Sequence, residues 1–182
     1  LLQSSAAVVI GAMLVSPLMT PIAALGFGLA TFDAPRLRDA ARVVAIGAAI
    51  GIATGMMVTW ISPIDDITPE IMARTEPTLL DLAVALLSGI AGGYAIVRQQ
   101  GETAIGVAIA TALMPPLATV GYGVAALRSD IAGGALLLFL TNLTAIAIAI
   151  ASVARLTGAA APRRGLHIGF GVKLIGVLLI VG

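Results

Sequence analysis

The sequence contains no cysteine, which excludes a disulfide framework, a Cys-ligated zinc site and a thiol nucleophile. Charge is nearly as scarce: charged residues are 10% of the chain, with a formal net charge of +1, where an ordinary soluble domain carries about 25%. That balance lacks the basic footprint a phosphate backbone demands, so nucleic acid is not expected as a partner. Aromatic residues amount to 4%, and the one histidine, His167, stands at the edge of an apolar run. No pair of carboxylates lies within an apolar run, and Ser88 has no base in reach of its sequence neighbourhood. Acid–base and nucleophilic constellations are therefore missing. None of the Gly-rich runs ends in the Gly-Lys-Ser/Thr of a phosphate loop. The chain is not expected to be an enzyme, and neither a metal nor a cofactor is expected.

Hydrophobic residues make up 59% of the 182 residues, and the mean hydropathy is +1.10. A bilayer span needs about 20 mostly apolar residues. Dividing the sequence at its charged and Pro-rich stretches gives Ala6–Phe32, Ala40–Ile61, Leu79–Val97, Thr103–Leu127 and Ile131–Ala154, followed by a shorter sixth segment, Leu166–Gly182. The runs are continuously apolar and do not alternate as barrel strands do. The expected fold is an all-α polytopic transmembrane bundle, a single domain over residues 1–182. Both ends read as cuts in a longer protein, and no cleavable leader is visible.

The first and fourth segments share an order of features. Ser16-Pro17-Leu18-Met19-Thr20-Pro21 interrupts one, and Met114-Pro115-Pro116-Leu117-Ala118-Thr119 interrupts the other. Gly26-Phe27-Gly28 and Gly121-Tyr122-Gly123 follow, and then Arg36-Leu37-Arg38-Asp39 and Leu127-Arg128-Ser129-Asp130. This suggests two repeats of three spans, about 1–98 and 99–182. Three is odd, so the copies would enter the membrane from opposite sides, as in many secondary transporters. The prolines predict broken helices in the first and fourth spans, because an internal Pro removes a backbone hydrogen bond at a cost of about 3 kcal/mol. At each break a second half-helix would present unpaired N–H groups and a positive dipole end.

If each segment crosses once, Arg36, Arg38, Arg42, Arg98, Arg155, Arg163 and Arg164 share one face, and Arg74 and Arg128 the other. The first face is cytoplasmic by the positive-inside rule. Within the spans, Asn142 in Thr141-Asn142-Leu143-Thr144 needs a partner from another helix or a solute. Asp81 is the acidic candidate for a coupling ion, and Lys173, within the sixth segment, is a weaker candidate for a functional charge. Gly47, Gly51, Gly55, Gly89, Gly92 and Gly93 suit close helix packing. Trp60 fits an interfacial belt.

The stretches Ser5–Pro21, Arg74-Thr75-Glu76-Pro77-Thr78-Leu79-Leu80-Asp81-Leu82, Ala112-Leu113-Met114-Pro115-Pro116-Leu117-Ala118 and Leu138-Phe139-Leu140-Thr141-Asn142-Leu143 resemble the prokaryotic hydrophobic family called domain of unknown function 389. The resemblance reaches to about Leu156. It implies a preceding helix and a cytosolic domain, and it supplies no substrate. The residues themselves suggest a secondary transporter or permease for a small anionic or zwitterionic solute. Its site would be built from Ser16, Pro17, Thr20, Pro21, Thr111, Pro115, Pro116, Thr119 and Asn142. Its partners would be the lipid bilayer, that solute and further copies in a homo-oligomer. A membrane scaffold or sensor for a cytosolic domain, or a passive channel, is the alternative.

Overall fold

The structure, a computed structural model, describes residues 19–61, 68–100 and 102–160. Its elements are α1 (Met19–Thr31), α2 (Ala34–Ile61), α3 (Pro69–Met72), α4 (Leu79–Arg98), α5 (Glu102–Ala125) and α6 (Ser129–Leu156). No strand occurs among the described residues. Among the described residues, four helices are long and apolar enough to cross a membrane: α2, α4, α5 over Gly106–Ala125, and α6. Ser16, Pro17, the acidic stretch at Asp65 and Asp66, and the sixth segment with His167 and Lys173 lie outside the described residues.

Local chemistry sets the helix ends. α2 opens at Ala34 and not at Ala40, because Asp33 caps it: its carboxylate accepts the Arg36 backbone N–H at 3.3 Å, and Pro35 is tolerated in a first turn where no intrahelical donor is needed. α4 starts on a capping box, in which Thr78 Oγ1 accepts the Asp81 N–H at 3.2 Å while the Asp81 carboxylate accepts the Thr78 N–H at 3.1 Å. It stops at Gln99, whose left-handed φ of 54° turns the chain. The short α3 was not visible as a hydrophobic period, being one turn opened by Pro69.

One expectation needs correction. The fourth span is not broken: α5 continues as helix from Glu102 to Ala125 with Pro115 and Pro116 inside it. It therefore presents no second helix N-terminus at the prolines. The described part of the first span, α1, carries Thr20 and Pro21 within a helix.

α6 is the central helix, packed on α4, α5 and α1, while α2 packs on α5 and α1. The interior is built from small and aliphatic residues, among them Ala85, Ala145, Leu113, Leu117, Ile146 and Ile150. Large apolar side chains such as Ile46, Ile50, Leu79, Leu80 and Leu87 face outward. A water-soluble bundle would invert that arrangement, whereas lipid accepts it and leaves close packing to small residues. α3 folds back over one end of the bundle, where Ile71 is buried with Tyr122 and Ile131.

The two Gly-aromatic-Gly tails form the same corner. In the first, Asp33 N–H donates to Gly28 O at 3.1 Å and Phe32 N–H to Leu29 O at 3.4 Å; in the second, Arg128 N–H donates to Gly123 O at 2.8 Å and Leu127 N–H to Val124 O at 3.3 Å. Both turn on a residue of positive φ, Phe32 at 52° and Leu127 at 56°. This is the double bond pattern that closes a helix with a left-handed residue. A methyl on Gly28 would press on the Leu37 backbone at 3.3 Å, and one on Gly123 on the Ala132 backbone at 2.6 Å. At the same offset, Gly26 meets α6 at Ala147 and Ile150, and Gly121 meets α2 at Ile52, Gly55 and Met56. So α1 seats on α6 as α5 seats on α2.

Gly121 has no room for a side chain, since an added Cβ would overlap the Ile52 carbonyl, whereas Gly133 has open space around it. Gly121→Ala should destabilise the protein by about 1–3 kcal/mol, and Gly133→Ala should leave it unchanged or raise it by up to about 1 kcal/mol. Thermal unfolding in detergent separates the two.

Candidate functional site

Proline has no backbone N–H, so Pro116 cannot bond the carbonyl four residues earlier, that of Ala112. A buried carbonyl without a donor costs about 1–3 kcal/mol, and in lipid water cannot remedy it. The donor comes from another helix. Asn142 on α6, 4% exposed, points its amide into α5 and donates from Nδ2 to Ala112 O at 3.0 Å. This long-range bond replaces the donor that Pro116 removes; Pro115 frees the carbonyl of Thr111, at an exposed position, and α5 passes through both prolines without interruption. It also reverses the expected polarity of the joint, because the groups that the prolines release are carbonyl acceptors and not N–H donors.

Around the joint the packing is tight. Leu113 and Leu117 are fully buried on α5, and Ile109 nearly so. Ile22 of α1 belongs to the same core cluster. Thr119 is fully buried and donates to Pro115 O at 3.0 Å on its own helix. Thr111 is exposed and donates to Val107 O at 2.8 Å. Pro21 is buried and Thr20 exposed. The structure thus buries Pro115, Pro116, Thr119 and Asn142, joins Asn142 to α5 one turn before Pro116, and puts Thr20 and Thr111 at exposed positions. Ser16 and Pro17 lie outside the described residues.

Asp81 stands at the start of α4, where its carboxylate also accepts the Thr78 hydroxyl at 2.6 Å. Helix capping gives this residue a complete structural role. Thr141 and Thr144, the neighbours of Asn142, are occupied by their own helix, donating to Leu137 O at 3.0 Å and Leu140 O at 2.6 Å. At the opposite end of the bundle from α3, Arg155 of α6 donates from Nε to Ala30 O at 2.9 Å and covers the Phe32 ring at 4.3 Å. A cation on the last carbonyls of α1 suits the negative end of that helix. The Ala112 carbonyl and Arg155 were not singled out from the sequence. The first was implicit in the position of Pro116, four residues on; the second depends on which helix ends meet.

Long apolar helices, lipid-compatible outer faces and a polar joint between two helices in the core define a polytopic α-helical bundle of the membrane type. The chain belongs to the family described as domain of unknown function (DUF389), whose model matches residues 13–148. An uncharacterized protein of Methanocaldococcus jannaschii is 30% identical to it over 124 residues, which cover 68% of this chain and 39% of that relative. The chain therefore spans well under half the length of that relative. No solved structure matches it.

The bond at the joint makes a quantitative prediction. Asn142→Leu should cost about 1–2 kcal/mol, since it strands the Ala112 carbonyl. In a Pro116→Ala background, where the new backbone N–H can serve that carbonyl, the same substitution should cost less than about half as much. A double-mutant cycle on unfolding in detergent reads this coupling.

Proposed function

We propose that this chain is the membrane domain of a secondary transporter or permease for a small solute, built as an inverted repeat around the Pro116–Asn142 joint. The supporting observation is the reciprocal packing of the two corners: α1 on α6 uses the positions that α5 on α2 repeats. Reciprocal contacts of this kind are what a two-fold relation produces. Its sense follows from the helix ends. Arg155 bonds the last turn of α1 from the last turn of α6, so those helices run the same way, and α5 joins α6 through a tight turn that reverses direction. α1 and α5 then run oppositely, as inverted repeats require.

The joint suits movement. A continuous i to i−4 ladder resists bending, but at Pro116 the ladder is completed by a side chain of another helix. When α6 shifts, α5 can bend there at the expense of one hydrogen bond, about 0.5–2 kcal/mol. The solute class follows from polarity: a carbonyl oxygen has two lone pairs, so Ala112 O can take a second N–H beside that of Asn142, and a solute carrying an ammonium fits it better than a simple anion. On the side of α3, Arg74 has a buried Nε without a hydrogen-bond partner among the described residues, a donor for a carboxylate. Asp81 is the acidic candidate for ion coupling. In this reading the chain is not an enzyme, the basic face is cytoplasmic in a prokaryotic inner membrane, and copies assemble as a homo-oligomer.

The rival is a scaffold or sensor that anchors a cytosolic domain. It draws on the same bond, since Asn142 satisfies Ala112 without any solute.

Thermal stability of the full-length protein in detergent against amino acids, carboxylates, nucleotides and inorganic anions separates them. A ligand that binds the folded state alone stabilises by RT ln(1 + [L]/Kd), about 2.7 kcal/mol at a hundredfold excess over Kd. The transporter reading expects a selective shift, strongest for a zwitterion, that Pro116→Ala and Asn142→Ala remove. No shift for any compound, with both variants only lowering the baseline, supports the scaffold.

A further inference from the structure

α4 lies on α6 through two close approaches. A Cβ on Gly89 would meet Ala149 Cβ at 2.7 Å and the Ile146 carbonyl at 2.8 Å, and one on Gly93 would meet Val153 Cβ at 3.0 Å. That stripe of α6 is closed: Ile146 is 0% exposed, Ala149 4% and Val153 9%. The offset that carries Phe32 to Leu127 also carries α2, Ala34–Ile61, onto α6, Ser129–Leu156, end to end. It pairs Ile146, Ala149, Ile150 and Val153 with Gly51, Thr54, Gly55 and Val58 of α2. On α2 the corresponding stripe is open at its outer edge, for Thr54 is exposed and Val58 is 50% exposed.

The α6 stripe is covered by the third helix of the first repeat. In the proposed repeat the counterpart of α4 is the sixth segment, which lies outside the described residues.

We propose that the Thr54–Val58 stripe of α2 is the seat of the sixth segment, Leu166–Gly182, which docks there as α4 docks on α6. The assignment commits to an intrachain occupant. Three observations carry it: the equal length and register of α2 and α6, the reciprocal seating of α1 and α5, and the burial difference between Val153 and Val58. α6 touches α1 and α5 and is closed on its third side by α4; α2 touches α1 and α5 and lacks that third neighbour among the described residues. Small residues at Gly51 and Gly55 let backbones approach there, and α5 already uses the other edge of the same glycines, through Leu117 and Ala118. The inference rests on the repeat within the proposed function and is independent of any solute.

This sequence contains no cysteine, so once any cysteine elsewhere in the full-length protein is replaced, introduced cysteines report alone. Val58→Cys is paired in the full-length protein with single cysteines walked from Leu174 to Val181, and short bifunctional reagents are applied in membranes. Met57→Cys serves as the control, because its counterpart on α6, Ser152, is exposed. The expected result is an intrachain cross-link, at monomer mass, from Val58→Cys to positions recurring every three or four residues, at least tenfold more than from Met57→Cys. Cross-links at dimer mass would mean that a second copy covers the stripe, and would overturn the assignment. Equal or absent reaction from both positions would leave the stripe facing lipid, and would overturn it too. The thermal-shift panel reads the transporter separately, so failure of either proposal is distinguishable.

Discussion

The bond from Asn142 to the Ala112 carbonyl, 3.0 Å long and buried, is the contact on which the middle of this bundle depends. Lipid offers no donor to a stranded carbonyl, and an internal proline strands one by its chemistry. Two prolines in sequence inside α5 would ordinarily bend or break that helix. With α6 supplying the donor that Pro116 lacks, and Pro115 freeing only the carbonyl of the exposed Thr111, α5 remains continuous from Glu102 to Ala125. The cost is specificity of register: only a rotation of α6 that turns Asn142 toward α5 satisfies the joint. Ile146 and Ile150, one and two turns on, are then buried in the same cluster as Leu113 and Leu117, so the polar contact and the apolar packing fix the same face.

The remaining contacts follow from close approach of backbones. Gly26 lies against α6 and Gly121 against α2, each where an added methyl would overlap its neighbour. Dispersion at short range replaces the hydrophobic effect that lipid does not supply. Arg155 then ties the ends of α1 and α6, on the side where Arg36, Arg38 and Arg42 also stand at the start of α2. Cations therefore cluster at that end of the bundle.

Much of this was legible in the sequence, and the exceptions are instructive. Span number and position for α2, α4, α5 and α6 follow from run length, since few other residue patterns are that apolar for that long. Helix starts were less legible: Arg36 to Asp39 read as loop because they are charged, yet Asp33 caps a helix that includes them. The Gly-aromatic-Gly corners were visible as a recurring motif, and their equal hydrogen bonds give that recurrence a physical cause. The proline break was misread in α5. Proline acts locally, and a sequence shows that local loss plainly; the compensation comes from a residue on the following helix and depends on how the two helices pack. Asn142 was recognised as needing a partner, but the partner is a backbone atom, which no residue type announces.

The most direct test of the account is the state of one carbonyl. Ala112 labelled with 13C and 18O in the native protein and in Asn142→Leu, read by isotope-edited infrared spectroscopy in detergent or lipid, reports whether that oxygen accepts a hydrogen bond. The account predicts a carbonyl band that moves to higher frequency when Asn142 is replaced and returns toward its native position when Pro116→Ala is added. A band indifferent to residue 142 would contradict it, because α5 would then be holding its course through the prolines without help from α6.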